Sequence, residues 1–371
     1  MVLVNPFGGQ GKAEKQYARD VEPIFKAARC KIGVEVTTHH EHAMGIAEKL
    51  DVEAWDVVAC CSGDGVPYEV FNGLSRQEEP RRSLASIAVV QLPCGTGNAM
   101  SWNLFGTDSP SLAALAIVKG FRMPLDLVSI TQGNRRTFSF LSQSVGIIAE
   151  CDLGTENMRW LGATRFTVGY IMRLLGKTVW PCDVAIGVES EDKEVMKREY
   201  QHYASSSSVS KEDTNLGSSS SETEDDESGL PKLKFGTIND ALPADWIMAP
   251  YLNLGNFYAG NMTHMSGDAS IFTVALPNDG LLDLMCIDGD IPILRALQLA
   301  EEGSKGTLLD QPEVKYRKVV GYRIIPHKKE GYISIDGERV PFEGFQAEIH
   351  KGLGCVLSKN GRIYEPRGST S

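Results

Sequence analysis

Asp56-Val57-Val58-Ala59-Cys60-Cys61 runs straight into Ser62-Gly63-Asp64-Gly65, and Val66 to Leu74 follows. The first six residues are a short apolar run rich in Val, the pattern of a strand covered on both faces. The next four form a glycine turn. The last nine carry apolar residues at helical spacing, with Gly73 placed to close the helix. The same unit recurs on either side. Val2 to Val4 is a short strand leading into Asn5-Pro6-Phe7-Gly8-Gly9-Gln10-Gly11-Lys12, and a helix follows with Tyr17, Val21, Ile24, Phe25 and Ala28 on one face. Ile32 to Thr37 is a strand and His42 to Leu50 a helix. Ser86 to Leu92 is a strand ending in Pro93-Cys94-Gly95-Thr96-Gly97-Asn98. Repeated strand-loop-helix units predict an α/β domain over residues 1–124, a doubly wound parallel sheet with helices on both faces.

From residue 125 the texture changes. Leu125 to Thr131, Thr137 to Val145, Asp183 to Val188, Ile247 to Leu254, Ser270 to Leu276 and Leu281 to Cys286 read as strands. Val319 to Ile325, Tyr332 to Ile335, Ala347 to His350 and Cys355 to Leu357 continue the series. Residues 125–371 are therefore expected to form a mainly antiparallel β-sandwich of two packed sheets. Helices are expected over Thr155 to Lys177 and Ile291 to Glu302. Ser205 to Ser228 is rich in serine and acid and nearly free of large apolar residues, so a disordered insertion is expected over about residues 190–243. Ser219, Ser221 and Thr223 each have an acid three residues on, which suits acid-directed phosphorylation.

A length of 371 residues fits two domains, and 42% hydrophobic with 23% charged residues excludes a chain disordered throughout or collagen-like. The net charge of −11 opposes nucleic-acid binding. Its location matters for membranes: Ser205 to Ser228 holds seven acids and one base, a net −6, so more than half the acidity sits on the insertion. No apolar run reaches the roughly 18–20 residues of a membrane span, and no signal-peptide pattern opens the chain. The eight cysteines are scattered without a C-x-x-C pair, which disfavours structural zinc and fits a reducing, cytoplasmic compartment. His39, His40 and His42 read as a solvated helix start. A single residue precedes the first strand, which is short against the usual five to six, so the chain is expected to start short of a full strand.

Three glycine turns at the carboxyl ends of parallel strands crowd one sheet edge. There, glycines let backbone N–H groups approach phosphate oxygens, and following helices favour anions. The turns are not the common ones. Ala13 stands where a Walker A loop needs Ser or Thr, and Glu14 breaks G-x-G-x-x-G. Asp64, flanked by glycines at the end of a buried strand, is placed to take a proton from an alcohol. An Asx turn or a helix cap remains the other role for such an aspartate.

Asn5-Pro6-x-Gly8-Gly9-x-Gly11-Lys12, Ser62-Gly63-Asp64-Gly65 and Pro93-x-Gly95-Thr96-Gly97-Asn98, in that order, resemble the diacylglycerol-kinase-type catalytic domain of lipid kinases. Gly146-Ile147-Ile148-Ala149-Glu150-Cys151-Asp152-Leu153-Gly154-Thr155-Glu156 is similar to the signature of sphingosine kinases. Met158 to Gly162 and Arg165 to Gly169 extend it. Phe257 to Met262, Ala275 to Gly280 and the serine-rich insertion resemble the fungal long-chain-base kinases most. Glu150 and Cys151 depart from residues usual in the family.

The resemblance implies ATP-dependent phosphorylation of the primary hydroxyl of a sphingoid base, with Mg2+ accompanying ATP. It implies Asp64 as general base. It sets Asn5, Gly9, Gly11, Lys12, Thr37, Ser62, Gly63, Gly65, Gly95, Thr96, Gly97 and Asn98 along the nucleotide, supported by Glu69. Arg159, Arg165 and the acidic pair Asp336 and Glu338 join them, although Asp336-Gly337 is also a good hairpin turn by itself. On the lipid side it implies Asp152 and Ser142 at the head group, with Phe140, Ile147, Ile148, Leu153, Phe166 and Met172 walling the tail. Ile171 and Leu175 are further candidates. A carboxylate at Asp152 suits the cationic amine of a sphingoid base and disfavours diacylglycerol. A helix N-cap before Leu153 is the other role for it.

The alternatives are a diacylglycerol or ceramide kinase of the same fold, a more distant NAD kinase, and a lipid-sensing module without turnover. Peripheral association with an intracellular or plasma membrane is expected, and a homodimer is compatible with the reading.

Overall fold

The computed structural model describes residues 1–154, 169, 176, 178–205 and 229–366. β1 (Val2–Val4), β2 (Val34–Val36), β3 (Val57–Ser62) and β4 (Ala88–Pro93) form a parallel sheet in the order β2-β1-β3-β4. From β1 the chain steps outward to β2, then crosses back to β3 on the other side. That reversal makes the β1/β3 edge a switch point, where the loops leaving the two strands open a crevice. Val89, Val90 and Leu92 of β4 are wholly buried, as a strand covered on both faces requires.

Six helices of this half carry the crossovers among the described residues. Ala13–Gln16, Tyr17–Val21 and Glu22–Ala27 run on as one helix, α1, with a π turn in the middle. The others are α2 (His42–Glu48), α3 (Gly65–Leu74), α4 (Pro80–Ser86), α5 (Ala99–Phe105) and α6 (Pro110–Lys119). Gly73 does not close α3. It lies inside that helix, where a Cβ would stand 2.3 Å from the Met44 carbonyl oxygen of α2. The glycine is there because two helices pack backbone to backbone.

The second half is antiparallel β, as expected. Its strands β5 (Phe121–Gln132), β6 (Arg135–Ser139), β7 (Ser142–Gly146), β8 (Cys182–Ser190), β9 (Ala249–Tyr251) and β10 (Leu254–Gly260) come first. β11 (His264–Ser266) and β12 (Ala269–Ser270) form a small ribbon, and β13 (Leu282–Asp288), β14 (Lys315–Pro326), β15 (Ile333–Ile335), β16 (Glu338–Val340) and β17 (Phe345–Ser358) complete the set. In place of two separate sheets, eleven of the described strands are hydrogen-bonded into one curled sheet that branches at β14.

Four strand expectations change. Ile247 to Leu254 breaks into β9 and the start of β10, because Leu252 and Asn253 form a turn between them. Thr137 to Val145 breaks into β6 and β7 because the Asp336 carboxylate takes the N–H groups of Phe140, Leu141 and Ser142. Only Ala269–Ser270 of the Ser270 to Leu276 region pairs as a strand. The rest is a buried loop whose Phe272 ring fills the space beside Gly260, where a Cβ would stand 2.0 Å from the ring. Ala347 to His350 and Cys355 to Leu357 are one strand, β17, with a register shift between His350 and Gly354.

The flanks of the expected insertion are ordered. Residues 193–205 form helix α8 (Lys193–Ser205), preceded by α7 (Ile147–Leu153) and followed by α9 (Ile293–Lys305). The backbone after residue 229 docks on the sheet: the N–H groups of Lys234 and Phe235 donate to Glu348 at 2.8 and 2.9 Å. Arg323 donates to the carbonyls of Thr237 and Asp240. These partners are distant in sequence, which is why a polar composition read as disorder. Residues 206–228, with Ser219, Ser221 and Thr223, lie outside the described residues, as does most of the expected helix over Thr155 to Lys177.

One hydrophobic cluster runs through both halves. Phe71 of α3 packs on Phe140 with ring centroids 5.5 Å apart. Beside it, the Asn72 side chain donates to the Phe138 carbonyl at 2.8 Å and accepts the Phe138 N–H at 2.9 Å. This seam holds the antiparallel domain against the mouth of the parallel sheet.

Candidate active site

The three glycine loops meet. Gly9, at φ +56°, lies where a Cβ would stand 2.8 Å from the Cys94 carbonyl oxygen, so the loop after β1 rests on the loop after β4. A Cβ on Gly95 would stand 2.3 Å from the Gly63 Cα, so the loops after β3 and β4 also touch. No residue with a side chain fits at either contact without moving backbone. Gly11, at φ +68°, needs glycine for its conformation instead. Asn5 closes the first loop by accepting the Phe7 N–H, and Lys12 is exposed, its Nζ on Gln10. Asn98 closes the third loop by bonding both the N–H and the carbonyl of Gly95 at 3.1 Å. Thr96 and Gly97 are exposed on it. Thr37 is buried at the end of β2, its N–H on the Val4 carbonyl, and Ser62 Oγ donates to the Gly63 carbonyl.

Asp64 sits where the second and third loops meet. Its Oδ2 accepts the Ala99 N–H at 3.0 Å, and its Oδ1 accepts the Met100 N–H at 3.0 Å. It therefore caps α5, the helix of the next loop. It makes no side-chain cap to its own helix α3. Burial raises its pKa above the usual carboxylate value, and the bonds from Met100, Ala99 and Gln91 oppose that rise.

Glu69 supports a different loop from the expected one. Its carboxylate accepts the N–H groups of Glu41, Ala43 and Met44 and so caps α2 beside the crevice. Among the described residues, no group of three or more His, Cys, Asp or Glu is arranged to hold a metal ion.

The late acidic pair divides. Asp336, at φ +53°, and Gly337 make the hairpin turn between β15 and β16. Its buried carboxylate is taken by Ser139 Oγ and the N–H groups of Phe140, Leu141 and Ser142 at 2.6–3.0 Å. Burial pushes its pKa up to about 6 against those bonds. Asp336 is thus an internal strut of the β6–β7 break. Glu338 instead reaches the start of α3, where a Cβ on Gly65 would stand 2.7 Å from its Oε1.

Asp152 lies near the end of α7 and so does not cap that helix. Its Oδ2 accepts Ser334 Oγ–H at 3.2 Å. Ser142 is buried, and Tyr258 beside it is raised to a high pKa by burial, with Asp152 and Asp336 adding to the rise. Ile147 and Ile148 are half-buried at the start of α7, and Leu153 is buried at its end. Phe140 is wholly buried on Phe71, a packing residue of the interdomain seam. Arg159, Arg165, Phe166, Ile171, Met172 and Leu175 lie outside the described residues.

Sequence reasoning missed Gln91, a wholly buried amide on β4. Its signal was a lone polar residue inside an otherwise apolar buried strand.

A doubly wound parallel sheet, three touching glycine loops and an acid capped across two of them define a catalytic domain of the diacylglycerol kinase type. Residues 1–130 match that family, the diacylglycerol kinase catalytic domain. The solved structure of a diacylglycerol kinase from Bacillus anthracis superposes with a TM-score of 0.60 over 98% of this chain and 96% of that one, at 16% identity, a likeness of fold. The chain is 32% identical to sphingoid long chain base kinase 5 of Saccharomyces cerevisiae over 98% of its own length. It is 31% identical to sphingoid long chain base kinase 4 of Schizosaccharomyces pombe over 96% of this chain and 74% of that protein. The chain belongs to the sphingoid long-chain-base kinase family. It spans 60% of the length of the Saccharomyces relative.

Proposed function

We propose that this chain transfers the γ-phosphoryl group of ATP to the primary hydroxyl of a sphingoid base. The observation that carries the reading is Asp64, a half-buried carboxylate fixed by two backbone N–H groups where the glycine loops converge. The backbone of Gly8–Lys12, Gly63 and Gly95–Gly97 would cradle the phosphates, with Lys12 and Thr96 at the rim. Arg159 and Arg165 are retained as candidates toward the nucleotide. Magnesium would enter with ATP, held by its phosphates and water with only one or two carboxylates from the protein; Glu338 is the acid positioned beside the second loop. It would neutralise charge developing on the transferred group.

Asp64 would accept the hydroxyl proton as the alkoxyl oxygen bonds to the γ-phosphorus and ADP leaves. Asp152, steadied by Ser334, would pair with the substrate ammonium. Ile147, Ile148 and Leu153 would meet the apolar tail. Diacylglycerol offers no cation, so the Asp152 carboxylate would be left without its charge partner. Such substrates reside in bilayers, so the protein would work as a peripheral membrane enzyme on the cytoplasmic side. Among the described residues no helix is long and apolar enough to cross a membrane.

The test is phosphotransfer from γ-labelled ATP to sphinganine, diacylglycerol and ceramide side by side. Transfer to sphinganine that Asp64→Asn abolishes is the expected result. Preferred transfer to diacylglycerol would overturn the substrate assignment.

A further inference from the structure

We propose that Gln91 is the positioning residue of the Asp64 base, a strut that sets the orientation and proton affinity of its carboxylate. The inference rests on the reading of Asp64 given above and adds a residue to it.

The geometry begins with helix α5. The first three N–H groups of a helix have no partner within it. In α5 these belong to Ala99, Met100 and Ser101, and the residue before the helix, Asn98, caps none of them. Asp64 takes the first two. Gln91 takes the third: its Oε1 accepts the Ser101 N–H at 2.9 Å.

That bond fixes the amide. The atom facing Ser101 must be the acceptor, so the other, Nε2, is the donor. Nε2 points at Asp64 Oδ1, 3.2 Å away, and at the Ser62 carbonyl, 3.5 Å away. Asp64 Oδ1 therefore receives two donors, Met100 N–H and Gln91 Nε2, and Oδ2 receives one. The carboxylate cannot rotate without losing all three. Gln91 itself is wholly buried in β4, and its amide is committed to Ser101, Asp64 and the Ser62 carbonyl. A polar residue so deep in an apolar strand carries a desolvation cost, which the two bonds offset.

The chemical consequence has a definite sign. A donor on a carboxylate favours its charged form and lowers its pKa. Burial acts the other way on Asp64. Removing the Gln91 donor leaves burial less opposed, so the acid becomes a stronger proton holder, and a smaller fraction is available as base at neutral pH.

Two substitutions separate positioning from packing. Gln91→Met keeps the volume and removes both hydrogen bonds. Gln91→Glu keeps the shape and sets a second carboxyl against Asp64, so that the pair shares a proton at neutral pH. The measurement is kcat and KM for sphinganine and ATP between pH 5.5 and 9, the bounds being about the usable range for a base of this kind. The expected result is an acid-side midpoint raised by about one unit in Gln91→Met and further in Gln91→Glu. The deficit in kcat should be about ten-fold at low pH and should close at high pH, with KM for ATP within about two-fold. If Gln91→Met melts early, Gln91→Glu alone carries the test. An unshifted midpoint with a uniform loss of kcat, or parent-like kinetics, overturns the proposal and leaves a packing role. Asp64→Asn separates the two layers. An active Asp64→Asn protein removes the base reading and this inference with it, whereas an inactive one beside parent-like Gln91 variants sinks this inference alone.

Discussion

The backbone N–H of Met100 donates to Asp64 Oδ1 at 3.0 Å, across 36 positions of sequence. The helix start after the third glycine loop thereby holds the acid of the second. A positive helix end favours the ionised form of a buried carboxylate that desolvation would otherwise protonate. In Asp64→Asn one of the two N–H donors, of Ala99 or Met100, would face an amide NH2. We expect a stability loss of about 1–3 kcal/mol and a fall in kcat of at least about 10²-fold. Thermal melting and a phosphotransfer assay on the same preparation check both, and full activity would refute the base role.

Gly95→Ala forces the second and third loops apart, because its Cβ would stand 2.3 Å from Gly63 Cα. The obstacle is backbone, so no rotamer relieves it. KM for ATP should rise about ten-fold or more while KM for the lipid changes little, since only phosphate contacts are displaced. Nucleotide titration at saturating lipid reads this. A larger effect on the lipid than on ATP would contradict the assignment of these loops.

Glu69→Ala uncaps α2. Three N–H groups, of Glu41, Ala43 and Met44, lose their shared acceptor. The cost should be about 1–2 kcal/mol in urea unfolding. Glu69→Gln should recover part of it through its remaining oxygen. Equal losses in the two variants would argue against a capping role.

Asp152→Asn tests the lipid end. Losing a charge-assisted bond of about 1.5–3 kcal/mol predicts a fall of roughly ten- to a hundred-fold in kcat/KM for sphinganine. KM for ATP should stay put. If both substrates suffer alike, Asp152 serves the fold and not the head group.

Asp126 carries a pH signature. Its buried carboxylate accepts the N–H groups of Gly280 and Gly352 at 2.6 Å, and burial pushes its pKa up to about 7. The folded protein then holds a proton that the unfolded chain, with a carboxylate near 3.9, releases earlier. Stability from this group is complete below about pH 4 and is lost as pH rises through about 7. The stability of the parent relative to Asp126→Asn should therefore decline by about 3 kcal/mol between about pH 4.5 and 7.5 in urea unfolding. A difference that is flat or grows with pH would show the raised pKa to be wrong.

Much of the nucleotide end was legible beforehand. Val57 to Cys61 is short and β-branched, which favours a doubly covered strand over a helix, and a glycine turn followed by helical spacing narrows the reading further. That local grammar named Asp64, Gly9 and Gly95 correctly as loop residues. It failed at Gly73, where a neighbouring helix and not a helix end requires the glycine, and at residues 193–205, held by Gln311, Asp310 and Asn278, and 229–243, held by Glu348 and Arg323, all partners far along the chain. Asp336 kept its turn, and what the sequence did not show is that four donors from the β6–β7 break occupy its carboxylate.

By itself, then, the order of short strands, glycine turns and helices determined a doubly wound domain followed by an antiparallel one, and it singled out the acid between two glycines. Those features are local: period, turn chemistry and backbone freedom act within a few residues. Which acid caps which helix, which loops touch and which carboxylate is turned inward were decided only in three dimensions. Parallel pairing of β3 with β4 brings Gly63 against Gly95 and Gln91 beneath Asp64. Hydrogen bonds across such pairings depend on strand register, and a single sequence does not display register until the sheet is assembled.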